Sequence, residues 1–447
     1  MTVALGRRTQ RQLVGSTVAL ALLVAACGSP GPSIIAPTVT PSLAAPIPSS
    51  SLPSEALPTS EATMGSPSAS PPPSATPAPA ATVTLPTSAI RTLPTGTFAL
   101  QGDRAFTLVG AFYPIVGNGA TGQAFTIRMV SGASGTSTVL TSRPSGREPS
   151  SLSVVGDRVV WVESWYAHPQ LNVGGETGGN LNAGQPLLWQ INAVSISTGA
   201  PSVIASGSNT RIPVEGEAAG ALAPVLAADG DRVAYTLDRA GPGGTDASAI
   251  IVRSLSSGAL IRRIDADGYV AQVGLVGQAL FFREAFDSGT PGSVYPADAS
   301  LMLSRSDGEP PRLIDTHVSD AAMDAQMLVW SRADATDASI WAMPLDTEVP
   351  MRVPGPPVAV GPGQQGPSSN LAVGNGMVAW IVGYADADNT ADSELVVWNR
   401  ARPVARVIGD QRHLDWVVIE GGSLVWRDYL SLPDTHAVPI SAIPVIP

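Results

Sequence analysis

Aromatic and acidic residues, spaced so as to gather at one end of a β-rich scaffold, carry the chemical potential of this chain. Trp165, Phe286 and Tyr384 each fall four residues after a recurring aromatic, namely Trp161, Phe282 and Trp380. Tyr166, His168 and Tyr429 sit at comparable places, as do Phe112 and Tyr113. Asp238, Asp246, Asp287, Asp298, Asp334, Asp337, Asp386, Asp388, Asp392 and Asp434 interleave with them. Aromatic planes with nearby carboxylates suit sugar rings, cationic groups or peptide side chains. Trp165, Tyr166, His168, Phe286, Tyr384 and Tyr429 are therefore the candidate ligand-binding residues. A plainer role fits them too: aromatics cap sheet ends and acids keep loops soluble.

Other chemistries find little support. The triplet Asp-Ala-Ser recurs at Asp246, Asp298 and Asp337, which reads as an Asx-type turn entering a strand. Asp386 to Asp392 begins like an EF-hand loop but lacks Gly at position six, and Val397 stands where a bidentate Glu is needed. A Ca²⁺ site made of loop oxygens remains an alternative there. The four His (168, 317, 413 and 436) have no paired spacing, so no metal or cofactor is expected. No Gly-x-Ser-x-Gly elbow, P-loop or dinucleotide fingerprint occurs. Gly174 to Gly179 reads as a loop, and no catalytic residue is assigned.

Charge narrows the partners. The 447 residues hold 25 Arg, no Lys and 36 Asp plus Glu, a net charge of −11. That balance excludes nucleic acid as the main partner, because phosphate binding needs a basic footprint. Only 14% of residues are charged and 44% are hydrophobic, so a sizeable core is expected. A single cysteine allows no intrachain disulfide and no Cys-based metal cage.

That cysteine has a place. Arg7, Arg8 and Arg11 precede an apolar run from Leu13 to Ala26, too short for the roughly 20 residues of a spanning helix and suited to a signal peptide. The run ends Val24-Ala25-Ala26-Cys27, which resembles the bacterial lipobox. The resemblance implies a signal peptide over 1–26 and a lipid on Cys27, hence a membrane anchor on the extracytoplasmic face. Residues 27–85 form the linker. Within it, Gly28 to Ala80 is rich in Pro, Ser, Ala and Thr, with 14 of the 41 prolines and no aromatic residue. Such a segment lacks the apolar area to offset its ordering entropy and is expected to be a disordered stalk.

The rest, 86–447, is a repeat. Gly156-Asp157-Arg158-Val159-Val160-Trp161 returns as Gly230-Asp231-Arg232-Val233-Ala234-Tyr235. Weaker copies end at Phe282, Trp330, Trp380 and Trp426, and a degenerate first copy runs from Gly102 to Thr107. Most spacings lie near 50 residues, the period of a four-stranded propeller blade. Each unit reads as four strands, a to d. Strand a precedes the Gly turn, b carries the aromatic, c follows a polar loop and d is short. The fold class is all-β, a seven-bladed β-propeller, with six or eight blades as alternatives. The seventh unit has a strand c from Ala437 to Ile443 but no strand d. Ala89 to Leu93, ahead of the first unit, matches that pattern and is expected to close the last blade. The repeat is similar to bacterial TolB-like and WD-type propeller repeats, in its Gly-x-x-aliphatic-aliphatic-aromatic strand and its Thr198-Gly199 and Ser257-Gly258 turns. It lacks their Ser-Pro-Asp-Gly turn and Trp-Asp ending, so the resemblance implies architecture and not a shared activity.

In an up-and-down blade the a–b and c–d turns share one face, and the b–c and d–a loops the other. Here the first set is short and the second long, longest in unit two (Ser164 to Pro186 and Gly207 to Ala223). Long loops on a rigid scaffold are where binding sites collect. The expected function is a non-enzymatic binding or scaffolding module, taking an envelope protein, peptide or glycan on the long-loop face. The alternative is a carboxylate-dependent hydrolase or lyase at the channel mouth. A mainly structural envelope protein is a third.

Overall fold

The structure, a computed structural model, describes residues 81–110, 124–132, 135–144, 146–166, 186–209, 223–240, 246–285, 299–333, 338–355, 371–385, 391–400, 402–408, 414–428 and 434–444. Cys27, the signal segment and the stalk lie outside them. Among the described residues there is no α-helix.

Strand order follows the repeat. Two short strands come first, β1 (Ala81–Val83) and β2 (Arg91–Leu93). Unit one is β3 (Thr97–Gln101), β4 (Arg104–Val109), β5 (Phe125–Ser131) and β6 (Thr136–Arg143). Unit two is β7 (Glu148–Val155), β8 (Arg158–Tyr166), β9 (Leu187–Ser195) and β10 (Pro201–Asn209). Unit three is β11 (Leu226–Asp229), β12 (Arg232–Ala240), β13 (Asp246–Ser254) and β14 (Leu260–Ala266). Unit four has β15 (Tyr269–Val276), β16 (Ala279–Ala285), β17 (Ala299–Ser304) and the first half of β18 (Arg312–Met323). Unit five takes the second half of β18, then β19 (Met327–Ala333), β20 (Ala338–Pro344) and β21 (Met351–Arg352). Unit six is β22 (Leu371–Gly374), β23 (Met377–Ala385), β24 (Ala391–Asn399) and β25 (Arg402–Ile408). Unit seven is β26 (Leu414–Glu420), β27 (Ser423–Asp428) and β28 (Asp434–Pro439).

The chain is an all-β propeller. Its inner strands lie side by side in the cycle β3, β7, β11, β15, β18, β22, β26 and back to β3. The strands make six hydrogen-bonded sheets. Five are separate units of four or five strands, and the sixth is a continuous seven-stranded sheet, β15 to β21. This corrects the expectation of seven separate blades, and also the expectation that strand d is short in unit four, where it begins at Arg312 and runs on to Met323. Strand β18 runs on, pairing with β17 through its first half and with β19 through its second. It turns the corner at His317, whose φ of 60° is left-handed.

Closure uses a borrowed strand. β2 pairs antiparallel with β28, Arg91 opposite Ala437 and Leu93 opposite Thr435. The third strand of this sheet ends at Pro439, before a 3-10 turn at Ile440–Ala442, so it is shorter than the sequence suggested. Upstream, β1 adds in parallel to the outer edge of β25. Leu85 then buries itself in the apolar cluster between units six and seven.

Packing follows from the two-residue period of a strand. In the second strand of each unit, alternate residues face the preceding and the following unit. Val159 and Trp161 join the cluster shared with unit one, whereas Val160 and Val162 join the one shared with unit three. Leu424 and Trp426 likewise pack on unit six, and Val425 on unit one. Trp161, Trp330, Trp380 and Trp426 are all buried. The recurring aromatic is therefore a knob pressed into the previous sheet.

Turns on the short-loop face lock the units. Gly156 and Gly230 adopt φ of 55° and 56°, a left-handed conformation that favours glycine. The aspartate that follows is a hub. Asp157 accepts from the Ser197 backbone N–H at 3.0 Å and from the Ser195 and Ser197 hydroxyls at 2.8 and 2.7 Å. Asp231 repeats this with the Ser256 N–H at 2.8 Å and with Ser254 and Ser256 Oγ, each at 2.7 Å. These serine hydroxyls hold both carboxyls below the usual carboxylate range. The arginine next in line reaches the neighbouring unit: Arg158 donates to the Leu255 carbonyl, and Arg232 grips Asp307 with two bonds of 2.7 Å.

The seam between units seven and one is different. Its cluster holds only Leu93, Leu100, Ala105, Val425 and Ala437 as buried members. Thr107 stands where the other units place an aromatic. On the same seam Thr435 Oγ1 and Arg128 Nε are buried without a hydrogen-bond partner. Glu420 Oε2 accepts the Leu100 N–H at 2.9 Å across the gap. Burial pushes the Glu420 carboxyl up to about 7. An acid whose folded pKa is raised contributes most while protonated, and that stability is lost as pH rises from about 4.5 through about 7. Glu420→Gln keeps an acceptor for Leu100 and removes the charge. The variant should equal wild type at pH 4 and exceed it at pH 8 by about 1–2 kcal/mol, allowing for partial solvent contact. Denaturant melts at the two pH values check this; an unchanged pH slope would sink it.

Candidate functional site

Unit two carries the site chemistry on both faces of its sheet. Trp161, Glu163 and Trp165 alternate along β8 and point toward unit one. Glu163 is fully buried, at 0% exposure. Its Oε1 accepts from Arg143 Nε at 2.7 Å and from Trp161 Nε1 at 2.9 Å. Its Oε2 accepts from Arg147 Nη1 at 3.1 Å. Arg143 also donates to Asn192 Oδ1 at 3.1 Å. The Arg147 guanidinium lies 3.9 Å from the centre of the Trp165 ring, a cation–π stack. Arg143 ends β6 and Arg147 lies in the link to β7, so the cluster rivets unit one to unit two. Trp165, expected to hold ligand, has one ring face taken by this rivet.

Tyr166 points the other way. It pairs with Leu187, and Leu187 pairs with Asn209, a row across the face turned to unit three. One row below, Ser164, Trp189 and Gly207 are cross-strand neighbours. The structure thus puts Trp165 and Tyr166 on opposite faces. Tyr384 lies on β23 opposite Asp392, and its side chain is outside the described residues. His168, Phe286 and Tyr429 are outside them too, as are residues 386–390 of the candidate Ca²⁺ loop. Among the described residues, no group of three or more His, Cys, Asp or Glu is placed to hold a metal ion.

A cleft of about 400 Å³ opens between the outer strands of units two and three. It is lined by Ile204 to Asn209 of β10, Trp189 of β9, Tyr235, Leu237 and Asp238 of β12, and Arg253 of β13. The hollow exists because β10 places the small residues Ala205 and Gly207 on this side, with Asn209 at its end. A Cβ at Gly207 would sit 2.5 Å from Trp189 Cζ2. Trp189 meets Tyr235 with ring centres 5.8 Å apart, and its indole donates to Asn209 Oδ1 at 2.9 Å. Arg253 donates Nε to Tyr235 Oη at 3.1 Å and Nη1 to the Gly258 carbonyl at 2.7 Å. The strand ends at Asn209 and Ala240 lead into the connections 210–222 and 241–245, so the cleft runs from Arg253, beside the short Ser257-Gly258 turn, up to the long-loop end. The expected d–a insertion is three residues shorter at its start than supposed, because Gly207 to Asn209 belong to β10.

Sequence reasoning missed Trp189 and Arg253. Trp189 sits in the alternation Leu187, Trp189, Ile191 and reads as core. Arg253 was legible as the lone charge closing the apolar run Ile250-Ile251-Val252.

Three carboxylates have pKa values raised by burial. Burial pushes Asp320 up to about 6, although it keeps some solvent contact. It accepts from Gln272 Nε2 at 2.9 Å and from the Ala321 and Leu371 N–H groups at 2.8 and 3.1 Å, lacing units four, five and six together. Burial also raises Glu148, on β7. These two and Glu420 belong to three different units.

No protein-family model matches this chain, and no curated protein sequence matches it. Solved structures share its backbone path. It resembles the acylaminoacyl peptidase of Pyrococcus horikoshii, at a TM-score of 0.45 and 10% identity, over 74% of this chain and 48% of the peptidase. It resembles TolB of Acinetobacter baumannii, at a TM-score of 0.37 and 12% identity, over 70% of this chain and 64% of TolB. It also resembles the oligogalacturonate lyase of Vibrio parahaemolyticus, at a TM-score of 0.48 and 12% identity, over 81% and 99% of the two chains. This chain spans about half of the peptidase and under two thirds of TolB. Likenesses at these identities and scores carry no statement about activity.

The Glu163 rivet makes a measurable demand. Glu163→Ala leaves two guanidinium groups without their buried counter-charge, and removing one partner of a buried pair costs about 3–5 kcal/mol. Urea unfolding followed by tryptophan fluorescence should show that loss, with Glu163→Gln falling between Ala and wild type. A loss under about 1 kcal/mol for Ala would show that the cluster is not holding the units together.

Proposed function

We propose that this chain is a lipid-anchored, extracytoplasmic binding module without catalytic chemistry, whose ligand enters the cleft between units two and three. The cleft is the observation that carries this reading. It falls in the size range of small-ligand sites, combines an aromatic floor with a few polar groups, and reaches the end where the longest connections emerge. The anchor reading rests on the Val24-Ala25-Ala26-Cys27 motif and on the stalk composition. We also read the ring as seven blades, two sharing β18 and the last borrowing β2; the seven apolar clusters, one per seam, support that count. The hydrolase or lyase alternative needs two carboxylates facing one substrate bond; of the raised carboxylates, Asp320 and Glu420 each accept backbone N–H groups.

Two experiments test the reading. Cys27→Ala should move the protein from the membrane fraction to the soluble one; retention in the membrane would remove the anchor. The soluble Cys27→Ala protein is then incubated with envelope extract, and its bound species are read by native mass spectrometry. A species lost at least tenfold on adding Ala205→Trp, which projects from β10 on the cleft side, and kept on adding Trp165→Ala supports the site. Equal retention in both variants removes it.

A further inference from the structure

We infer that the cleft takes a ligand bearing a carboxylate, with Arg253 as the group that receives it; this rests on the cleft being the binding site. Arg253 is half-buried on β13. Its two hydrogen bonds, to Tyr235 Oη and the Gly258 carbonyl, go to neutral acceptors and use two of the five guanidinium N–H groups. Among the described residues it has no carboxylate within ion-pair distance, a trait shared with Arg262 and Arg283, which bond neutral acceptors away from the cleft, whereas Arg143, Arg147, Arg232 and Arg312 each have one. Acids outnumber Arg in this chain, 36 to 25, so counter-charges are plentiful. A guanidinium fixed in a cleft without one is a cation set aside. Its planar fork matches a carboxylate, and it stays charged at any physiological pH.

The ligand lies with its carboxylate toward Arg253, over the edges of Trp189 and Tyr235. A volume of about 400 Å³ suits one or two sugar rings or two or three residues. An acidic sugar and a peptide C-terminus present the same chemistry.

The soluble Cys27→Ala chain is titrated by calorimetry with glucuronate, glucuronamide, triglycine and triglycine amide. One of the two carboxylates should bind at least tenfold more tightly than its own amide. Arg253→Gln, which retains a donor for Tyr235, should abolish that preference while the melting temperature stays within about 3 °C of the parent. Ala205→Trp, which projects into the cleft, should abolish binding altogether. Preference for glucuronate assigns the acidic sugar, and for triglycine the peptide terminus. An amide that binds as well as its acid overturns the carboxylate inference and leaves the cleft standing. Binding indifferent to Ala205→Trp overturns the cleft itself, and no binding by either acid overturns the inference.

Discussion

Every sheet in this molecule is apolar on both faces, so each has to be covered twice. That requirement governs the rest of the architecture. Residues of β8 divide strictly between two neighbours, with Trp161 pressed into unit one and Val160 and Val162 into unit three. A row of such sheets would end in two bare apolar faces. A ring has no ends, which is why a strand from ahead of the first unit completes the last one.

Among the described residues, the closing seam has the smallest apolar cluster of the ring. Where units seven and one meet, Thr107 replaces the aromatic knob and two polar atoms go unpartnered. A carboxyl that resists ionisation spans the gap. Elsewhere the Gly-Asp-Arg turns supply ties that the closing seam lacks. Asp157 and Asp231 organise the turn of their own sheet, and the arginine after each reaches into the next.

Much of this was legible in the sequence, because period-2 apolar strands and a 50-residue recurrence both reflect radial packing. The borrowed strand at Arg91–Leu93 was readable from a missing fourth strand in the last unit. The fusion of units four and five was not. Nothing in Arg312 to Met323 except a left-handed residue at His317 separates the end of one strand from the start of the next, and left-handed histidine leaves no mark in composition. The site was half-readable. Aromatics after the second strand are visible as a pattern, but the side of the sheet each one takes depends on register. Trp165 and Tyr166 are adjacent in sequence and so back onto different neighbours. The cleft arises from two small residues, Ala205 and Gly207, and an absence of side chain has no chemical signature in a sequence.

The continuous strand β18 has a mechanical consequence. Two units that share one strand cannot breathe apart without bending it, so the ring has a stiff side. The seam with the fewest apolar contacts lies nearly across from it. Thermal widening of the ring will therefore hinge about the fused pair and show itself first where Glu420 meets Leu100. The cleft between units two and three lies along the arc that such a motion would carry.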